Sequence, residues 1–363
     1  MKRFHTIVVG GGQAGLAAGY RLAEKKVDFA ILDAGPRVGH TWRSRWDSLR
    51  LFTPGRLDNL PGMPFPGPRS YFPTKDETAD YLAAYAAKFA LPVESGVAVE
   101  RLGREGDRFV LTAGDRRFEA DNVIVATGPF QKPRTPSFAG QLSPAIRQLH
   151  SFDYRNPSQL AEGDTLVVGA ATSGCEIAMD VARAGRRVHM AGKNVPSIPP
   201  LARRTILPWV ATRTKTHFLG KKIHAKAKSG AGHPLIGFSY KKVLKTGVTR
   251  VPRVAGIEGG KPRLEDGRIL EVKNVIWCTG FTIDFSWIDL PIFEADGYPR
   301  HERGVVAEQP GLFFVGLMFL HSLSSQLLLG VDRDTRHVAE AVVGRAASSR
   351  SAPIIAAEPK AAT

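Results

Sequence analysis

The stretch that decides the fold stands near the start of the chain and reads Thr6-Ile-Val-Val-Gly10-Gly-Gly12-Gln-Ala-Gly15-Leu-Ala-Ala-Gly-Tyr. Its β-branched opening predicts a buried strand, and residues 16–25 predict the helix that follows. The GxGxxG spacing between them is typical of a dinucleotide-binding turn. The first glycine permits a tight turn, the second lets a pyrophosphate approach the backbone, and the third lets the helix pack on the strand.

The residues after this turn supply the context that a lone glycine motif lacks. Residues 28–32 predict a second strand, which ends in Asp33, 21 positions after Gly12. A carboxylate at this place in such a unit usually binds a ribose hydroxyl. The segment therefore predicts a dinucleotide site rather than a chance glycine loop.

A second glycine turn repeats the pattern in the middle of the chain, in Thr165-Leu-Val-Val-Gly169-Ala-Ala171-Thr-Ser-Gly174. The following strand is predicted over 187–191 and leads into Gly192-Lys193, with no acid at the position that Asp33 holds in the first unit. A lysine there suits a 2′-phosphate better than a free ribose hydroxyl. A plain strand-to-helix crossover without a ligand is the alternative reading of this segment.

An internal repeat connects the two turns. Residues 117–128 and 269–280 are identical at six of twelve positions, and both end in Thr-Gly. Gly128 follows Gly10 by 118 residues, and Gly280 follows Gly169 by 111. Each copy is predicted to return as a strand to its own sheet, so a whole nucleotide-binding unit is duplicated. Two such units predict two dinucleotides, as in a flavoprotein that a nicotinamide reduces.

Length and cysteine content limit the alternatives. A chain of 363 residues is long enough for two domains. Only Cys175 and Cys278 are present, which excludes a disulfide framework, a cysteine-rich metal site and a CxxC redox centre. The start of the chain has no signal-peptide pattern, and the apolar stretch 312–331 is too polar for a membrane span. We expect a soluble cytoplasmic protein.

The net charge of +16 comes from one region. Residues 181–257 contain 17 lysines and arginines and no aspartate or glutamate, which leaves the rest of the chain close to neutral. Such asymmetry favours an anionic partner, which could be a cofactor phosphate, an acidic substrate, nucleic acid or a membrane surface. A solvated basic face without a ligand is the alternative.

The segments between the repeats predict supporting elements. Thr74-x-x-Glu77 is a capping box that opens a helix, and an apolar stripe on that helix predicts a core face. Residues 97–102 and 109–112 predict a hairpin, residues 54–73 a proline-rich loop, and residues 348–363 a fraying tail. The stripe consists of Tyr81, Leu82, Tyr85 and Phe89.

These motifs together resemble the flavin-containing monooxygenases. The likeness is greatest to compact bacterial members labelled as flavoproteins involved in K⁺ transport, and it covers nearly the whole chain. The segments that carry it, besides the two glycine turns, are Ala126-Thr127-Gly128, Cys278-Thr279-Gly280-Phe281, and residues 42–54, 148–157 and 316–325.

The resemblance implies the mechanism. NADPH would reduce FAD, O₂ would add at the flavin C4a, and bound NADP⁺ would shield the peroxyflavin while it oxygenates a small sulfur or nitrogen nucleophile. The cofactors would carry the chemistry, so few catalytic side chains are expected. Thr53 and His150 are the candidates for such a role, and His150 could equally be structural.

Three departures from the family keep other functions open. Thr53 and Thr172 stand where larger members have asparagine, and the spacing between Phe138-x-Gly140 and His150-x-x-x-Tyr154 is longer than in the family signature. The alternatives are an NAD(P)H:acceptor flavin oxidoreductase without oxygen transfer and a redox-linked regulator of transport.

The predicted fold is α/β, with two Rossmann-like dinucleotide-binding domains. The FAD domain comprises residues 1–155 and 285–363, and it is interrupted by an NADPH domain over 156–284 that carries a basic insertion at 195–253. We expect a small-molecule substrate and O₂, no nucleic acid, no metal, no stable membrane insertion, and a homodimer as one possible assembly. The candidate cofactor-binding residues are Gly10, Gly12, Gln13, Ala14, Gly15, Asp33, Trp42, Trp46, Leu51, Val97, Ala126, Thr127, Gly128, Gly169, Ala171, Thr172, Ser173, Gly174, Lys193, Thr279, Gly280 and Gly316. A packed aromatic core is the alternative role for Trp42, Trp46 and Leu51.

Overall fold

The computed structural model describes residues 2–198, 211–212 and 234–351, with side chains described as far as residue 345. Much of the predicted basic insertion at 195–253 lies outside the described residues. So does the end of the tail that was predicted to fray over 348–363.

The first large sheet is built from strands that come from both ends of the described chain: β1 (Lys2–Val9), β2 (Phe29–Asp33), β3 (Val93–Ser95), β4 (Arg101–Glu105), β5 (Arg108–Ala113), β6 (Arg116–Val125) and β18 (Leu312–Phe314). The strand order is β3-β2-β1-β6-β5-β4, and β18 also pairs with β6. The first half of β6 pairs antiparallel with β5, whereas its end pairs parallel with β18. This sheet therefore joins a parallel nucleotide-binding part to an antiparallel hairpin.

The second large sheet is wholly parallel and consists of β8 (Arg147–His150), β9 (Thr165–Val168), β10 (Val188–Ala191), β13 (Thr249–Val251) and β16 (Asn274–Trp277). Its order is β13-β10-β9-β16-β8. The third, second, first and fourth strands of a Rossmann unit lie side by side in the same way.

Short ladders complete the strands in the described residues: β7 (Lys132–Pro133) with β17 (Phe281–Thr282), β11 (Ser197–Ile198) with β12 (Leu235–Ile236), and β14 (Val254–Glu258) with β15 (Lys261–Leu264). The helices whose bounds lie within the described residues are α1 (Gln13–Glu24), α2 (His40–Arg43), α3 (Lys75–Lys88), α4 (Thr172–Arg183), α5 (Tyr240–Leu244) and α6 (Leu328–Ser351). Short 3₁₀ turns lie at Gly55–Leu57, Ser137–Gln141, Pro157–Gln159 and Leu323–Gln326.

Both faces of the first sheet are covered, as a parallel sheet requires. Val8 of β1 packs in one apolar cluster with α1, α3 and α6, while Ile7 and Val9 pack in another on the opposite face. An ion pair of 2.6 Å between Arg21 and Asp332 joins α1 to α6. The two helices therefore form one layer behind the first glycine turn.

The predicted elements around the motifs are present. The capping box is formed, because Thr74 accepts from the Glu77 backbone N–H and the Glu77 side chain accepts from that of Thr74. Tyr81, Leu82 and Tyr85 are buried, and Phe89 is partly buried at the end of the helix. The first strand of the predicted hairpin begins at residue 101 rather than 97, because the N–H groups of Gly96 and Val97 bond instead to the carbonyls of Gly35 and Asp33.

The internal repeat is reproduced in three dimensions. The strand β6 pairs parallel with β1, and β16 pairs parallel with β9. Val9 is level with Val125 in the first sheet, and Val168 is level with Trp277 in the second. Each Thr-Gly sequence therefore leaves its sheet beside the glycine turn of its own unit.

One predicted domain boundary needs correction. The division at residue 155 assigned β8 to the FAD domain, but β8 pairs with β16 in the second sheet from Arg147 onward. The boundary that we now propose falls in the connection between residues 126 and 146. The remaining domain limits stay proposals.

Candidate functional site

The first glycine turn has the shape of a phosphate cradle. Gly10 has φ +111°, and a Cβ there would lie 2.7 Å from the Ala126 carbonyl oxygen, so only glycine fits. A Cβ on Gly15 would overlap the Gly10 carbonyl, whereas a Cβ on Gly12 would meet no atom within 4 Å. The turn is thus tight at two glycines and open at the third, and the opening faces away from the protein backbone.

The second turn copies this geometry. Gly169 has φ +121°, and a Cβ on it would overlap the Cys278 carbonyl. A Cβ on Gly174 would overlap the carbonyl of Gly169, just as Gly15 is confined by Gly10. The repeat seen in the sequence is therefore a repeat of steric constraints on the backbone.

Both turns open at the N-terminus of a long helix that no side chain caps. Gly12 is the N-cap of α1 and Ala171 is the N-cap of α4, and neither first turn contains an acidic residue. Amide groups at such a helix end are free to donate, and the helix dipole favours an anion there. The uncapped N–H groups and the space beside Gly12 fit the pyrophosphate of a dinucleotide. The predicted residues in the two first turns are Gln13, Ala14, Thr172 and Ser173.

Asp33 is held at the end of β2, beside the first turn. Its two carboxylate oxygens accept from the backbone N–H groups of Gly11, at 2.6 Å, and Gly35, at 2.9 Å. The backbone N–H of Val97 donates to the Asp33 carbonyl at 2.8 Å. These contacts bring the predicted Asp33 and Val97 together and fix the carboxylate where a ribose would lie.

The corresponding end of β10 carries no acid. Gly192 has φ +152°, and Lys193 beyond it is exposed to solvent. Arg250 on the neighbouring strand β13 donates to the Gly192 carbonyl at 2.8 Å. No local sequence pattern places Arg250 at this strand end, because 58 residues separate it from Gly192.

The two Thr-Gly turns lie where the chain crosses between the sheets. Gln131 donates to the Thr127 hydroxyl at 2.9 Å and to the Gly128 carbonyl at 2.7 Å, and Arg134 donates to the Thr279 carbonyl. The connections then pair as β7 and β17, antiparallel to each other. The predicted Thr127, Gly128, Thr279 and Gly280 are thus each held by the connections that pair as β7 and β17.

A group of polar contacts places the 316–326 loop against the first turn. Trp42 donates its indole N–H to Gln13 Oε1 at 3.2 Å, and Gln13 Nε2 donates to the Gln326 carbonyl at 3.1 Å. A Cβ on Gly316 would lie 2.7 Å from that of Ala14. Gln326 Oε1 is buried and has no hydrogen-bond partner. A buried acceptor without a partner beside the cradle is the arrangement expected of a site that a ligand completes.

The aromatic residues predicted for the flavin wall separate into different environments. Trp42 is partly buried against the core of the first unit, to which Leu51 also belongs. Trp46 is instead buried among Tyr154, Cys175 and other core residues of the second unit. Trp46 therefore belongs to the packed-core alternative, because the loop after α2 crosses onto the second sheet.

His150 has a structural environment rather than a catalytic one. Its Nδ1 accepts from the Phe152 backbone N–H at 3.1 Å, and its Nε2 lies 3.1 Å from the Gly280 carbonyl, so that this nitrogen carries the proton. Burial lowers the pKa of the ring and keeps it neutral. With both nitrogens used, His150 ties β8 to the second Thr-Gly turn, and the candidate catalytic role is withdrawn.

Thr53 forms a buried pair that the sequence did not predict. Its hydroxyl donates to Asp58 Oδ1 at 2.6 Å, and Asp58 is only 1 % exposed. Burial raises the pKa of Asp58 to about 7, although the Thr53 hydrogen bond acts in the opposite direction. Asp58 Oδ2 has no hydrogen-bond partner. The pair is a candidate proton-holding group, and a catalytic role for Thr53 stays a prediction.

The two cysteines are unsuited to redox chemistry. Both are free thiols, Cys175 buried and Cys278 partly buried. Burial raises the pKa of Cys175 to about 12 and raises that of Cys278 as well. A thiol is reactive as the thiolate, so neither residue is an electron carrier at neutral pH.

The described residues offer neither a metal cluster nor a membrane-spanning helix. Within residues 2–198, 211–212 and 234–351, no group of three or more His, Cys, Asp or Glu side chains could hold a metal ion. Across the same part of the chain, no helix is both long and apolar enough to span a membrane.

One glycine turn in two copies, each at the end of a strand in a parallel part of its own sheet, is typical of an oxidoreductase that works with a pair of dinucleotides. A family model described as "Pyridine nucleotide-disulphide oxidoreductase" matches residues 7–233. This chain belongs to that family.

Individual oxidoreductases are similar to this chain over most of its length. "Uncharacterized oxidoreductase CzcO-like" of Geobacillus kaustophilus is 39% identical over 339 residues, which cover 92% of this chain and 96% of that protein. "Indole-3-pyruvate monooxygenase YUCCA1" of Oryza sativa subsp. japonica is 28% identical, over 92% of this chain and 90% of that protein. The solved flavin-containing monooxygenase of Stenotrophomonas maltophilia is 27% identical, with a TM-score of 0.80, and the match covers 95% of this chain and all of that one.

These findings confirm the resemblance and the two-unit α/β fold that the sequence predicted. The chain is an oxidoreductase of this family, and it is similar over nearly its whole length to flavin-dependent monooxygenases.

Proposed function

We propose that the chain is an NADPH-consuming monooxygenase that transfers one oxygen atom from O₂ to a small sulfur or nitrogen nucleophile. The observation that carries this proposal is the matched pair of glycine turns, one per sheet, each open at an uncapped helix. When bound, FAD reduced by the nicotinamide supplies the activation of oxygen and its transfer.

The first turn is the proposed FAD site. The space beside Gly12 admits the pyrophosphate, and the amide groups of Gln13 and Ala14 donate to it. Asp33 accepts hydrogen bonds from the ribose hydroxyls. The second unit has no acid at the corresponding position. The remaining proposed contacts are Gly10, Gly15, Trp42, Leu51, Val97, Ala126, Thr127, Gly128 and Gly316.

The second turn is the proposed NADPH site. Ala171 admits the phosphates with slightly less room than a glycine, and the amide groups of Thr172 and Ser173 donate to them. Thr279 and Gly280 directly precede β17, where the nicotinamide would reach the flavin. Gly169, Gly174 and Lys193 complete the proposed set.

The cysteine environment supports oxygen as the electron acceptor. The chain has no other cysteines than Cys175 and Cys278, and the raised pKa of both thiols keeps them protonated. Electrons therefore have no protein dithiol to pass through, as they would in a disulfide reductase. An oxygenase needs only the two cofactors and a dry site around them.

Stopped-flow oxidation tests the proposal. The holoenzyme is reduced anaerobically with NADPH and mixed with O₂, and the flavin spectrum is followed with and without a substrate panel of organic sulfides, amines and indole-3-pyruvate. The last compound is included because of the name of the Oryza sativa relative.

We expect a spectrum that is neither oxidised nor reduced flavin, stabilised by bound NADP⁺, which decays faster with one of the nucleophiles. Direct return to oxidised flavin, with one H₂O₂ per NADPH and no oxygenated product, would contradict the proposal and favour the flavin oxidoreductase alternative.

A further inference from the structure

Arg250 occupies the edge of the second unit where the adenosine half of a dinucleotide binds. It lies on β13, next to β10, and pairs in register with Met190. In a Rossmann unit the adenosine lies over the carboxyl ends of the first two strands, with its ribose at the end of the second. Here β9 and β10 are those strands, and Arg250 reaches the end of β10 from the side.

The guanidinium is fixed by three hydrogen bonds and one aromatic ring. Nη1 donates to the Met190 carbonyl at 3.2 Å, and Nη2 donates to the Gly192 carbonyl at 2.8 Å and to Asn194 Oδ1 at 2.9 Å. The guanidinium carbon lies 5.2 Å from the centroid of the Tyr240 ring. The side chain is thus preorganised, and little conformational entropy would be lost on binding a ligand.

Tyr240 connects this arginine to the glycine turn itself. The Tyr240 hydroxyl donates to the Ala170 carbonyl at 2.8 Å and accepts from the Val195 backbone N–H at 2.9 Å. Ala170 lies between Gly169 and Ala171 in the second fingerprint. The turn, the end of β10 and Arg250 are therefore held as one unit.

The charge on Arg250 has no counter-ion in the described part of the chain. None of its hydrogen bonds there goes to a carboxylate, and residues 181–257 contain no aspartate or glutamate at all. A guanidinium has five N–H donors, of which three are used, so Nε–H and one Nη1–H remain. Lys193 lies exposed one residue beyond Gly192 and adds a second positive charge.

We propose that Arg250 is the residue that selects NADPH over NADH, by binding the 2′-phosphate at the end of β10, with Lys193 as an exposed auxiliary charge. The inference rests on the assignment of the nicotinamide cofactor to the second turn. Arg250 offers its free Nε–H and Nη1–H donors on a guanidinium that is already held in place, whereas Lys193 is an exposed and mobile point charge, so Arg250 makes the larger contribution.

Binding of cofactor fragments to the holoenzyme tests this directly. The dissociation constants of 2′,5′-ADP and 5′-AMP are measured by isothermal titration calorimetry, because the two fragments differ only in the 2′-phosphate. We expect the wild type to prefer 2′,5′-ADP by about tenfold or more, as for a charge-assisted hydrogen bond. Arg250→Gln should lose most of that preference, Arg250→Lys should keep a small part of it, and Lys193→Ala should reduce it only slightly.

A matched control is Arg253→Gln, which removes the same charge three residues further along the chain. Arg253 is half exposed and pairs with Glu265 at 3.1 Å, so its loss should leave the preference unchanged. An unchanged preference in Arg250→Gln and Arg250→Lys would overturn the proposal, as would an Arg253→Gln effect as large as that of Arg250→Gln. Flavin content and melting temperature confirm that each variant is folded.

Chemical modification of the wild type covers the case in which Arg250→Gln does not fold. Arginines are modified with phenylglyoxal and mapped by mass spectrometry. Modification of Arg250 should be slowed by 2′,5′-ADP several-fold more than by 5′-AMP, whereas that of Arg253 should not; equal protection of Arg250 by both would overturn the proposal. Because neither assay involves oxygen transfer, a failure here is distinct from a failure of the proposed monooxygenase reaction.

Discussion

At the scale of single residues, the most unusual group is the buried carboxyl of Asp58. It lies in the core of the loop after α2 with one hydrogen bond, from Thr53, and one oxygen without a hydrogen-bond partner. Because burial penalises the ionised form, its pKa is raised from 3.8 to about 7. The folded state therefore favours a proton that the unfolded state has released, and folding is linked to pH.

The sign of this linkage gives a prediction for Asp58→Asn. The contribution of Asp58 to stability is fully present below about pH 4 and is lost as the pH rises through 7. Relative to the variant, which cannot ionise, the wild type should lose about 1–3 kcal/mol in free energy of unfolding between about pH 5 and about pH 8. Urea unfolding of both proteins at the two pH values measures the difference.

The exposed Asp289→Asn substitution serves as the control, since its side chain is 65% accessible. The difference in free energy of unfolding between Asp289→Asn and the wild type should change far less between about pH 5 and about pH 8. If the free energies of unfolding of the wild type and Asp58→Asn changed equally with pH, Asp58 would ionise normally in the folded protein and the prediction would be wrong.

Single residues also show which contacts a sequence can reveal. The roles of Gly10, Gly15 and Asp33 follow from local spacing, because their constraints lie within one strand–turn–helix unit and the strand that follows it. Arg250 and Gln326 could not be found in this way. Their partners, Gly192 and Gln13, are 58 and 313 residues distant, and no local pattern records such a contact.

At the scale of elements, a local signal gave α3 its correct start, whereas the helix predicted over 16–25 begins earlier, at Gln13. The helix α3 begins where the Thr74-x-x-Glu77 box predicts, since the two residues satisfy each other's backbone donors. The backbone hydrogen bond from Thr74, first of all, lowers the pKa of Glu77 and so favours its charged form. The helix in turn supports Tyr81 and Tyr85 in the core of the first unit.

Removing the cap should destabilise the protein measurably. Thr74→Ala deletes the oxygen that accepts from the Glu77 N–H, and loss of such a cap lowers the free energy of unfolding by about 0.5–2 kcal/mol. Chemical denaturation measures the change, and Thr74→Ser, which keeps the hydroxyl, should retain most of the stability. If the alanine and serine variants were equally stable, the cap would contribute nothing.

Strands were predicted less well than helices, for a physical reason. β8 is short, and its place in the second sheet is fixed by pairing with β16, whose residues lie 127 positions further along the chain. The sequence of β8 is the same whichever sheet it joins, so the predicted boundary at 155 was wrong there. The proline-rich loop was assigned correctly as a connection, but the departure of Trp46 onto the second unit was not foreseen.

At the scale of the whole molecule, the duplication explains why so much could be predicted. The same turn, helix and returning strand are used twice, so each copy supports the interpretation of the other. The copies differ at the end of the second strand: the first ends it in Asp33, and the second continues from it into Gly192 and Lys193 beside Arg250. The connections that follow the two Thr-Gly turns pair with each other as β7 and β17.

The central claim is that the two turns divide the cofactors, FAD in the first and NADPH in the second. Gly12 has ordinary backbone angles and open space beside it, so Gly12→Val fills the cradle without straining the chain. Ala171 has the equivalent position in the second turn, where the carboxylate of Ala171→Glu would repel the cofactor phosphates.

The most direct measurement is bound flavin per chain, followed by the anaerobic rate of flavin reduction by NADPH, in these two variants. The account predicts that Gly12→Val is colourless, and that Ala171→Glu keeps the wild-type flavin content but is reduced at least about a hundredfold more slowly, as for loss of several phosphate contacts. Loss of flavin in Ala171→Glu, with flavin retained in Gly12→Val, would show that the two sites are exchanged and would contradict the account.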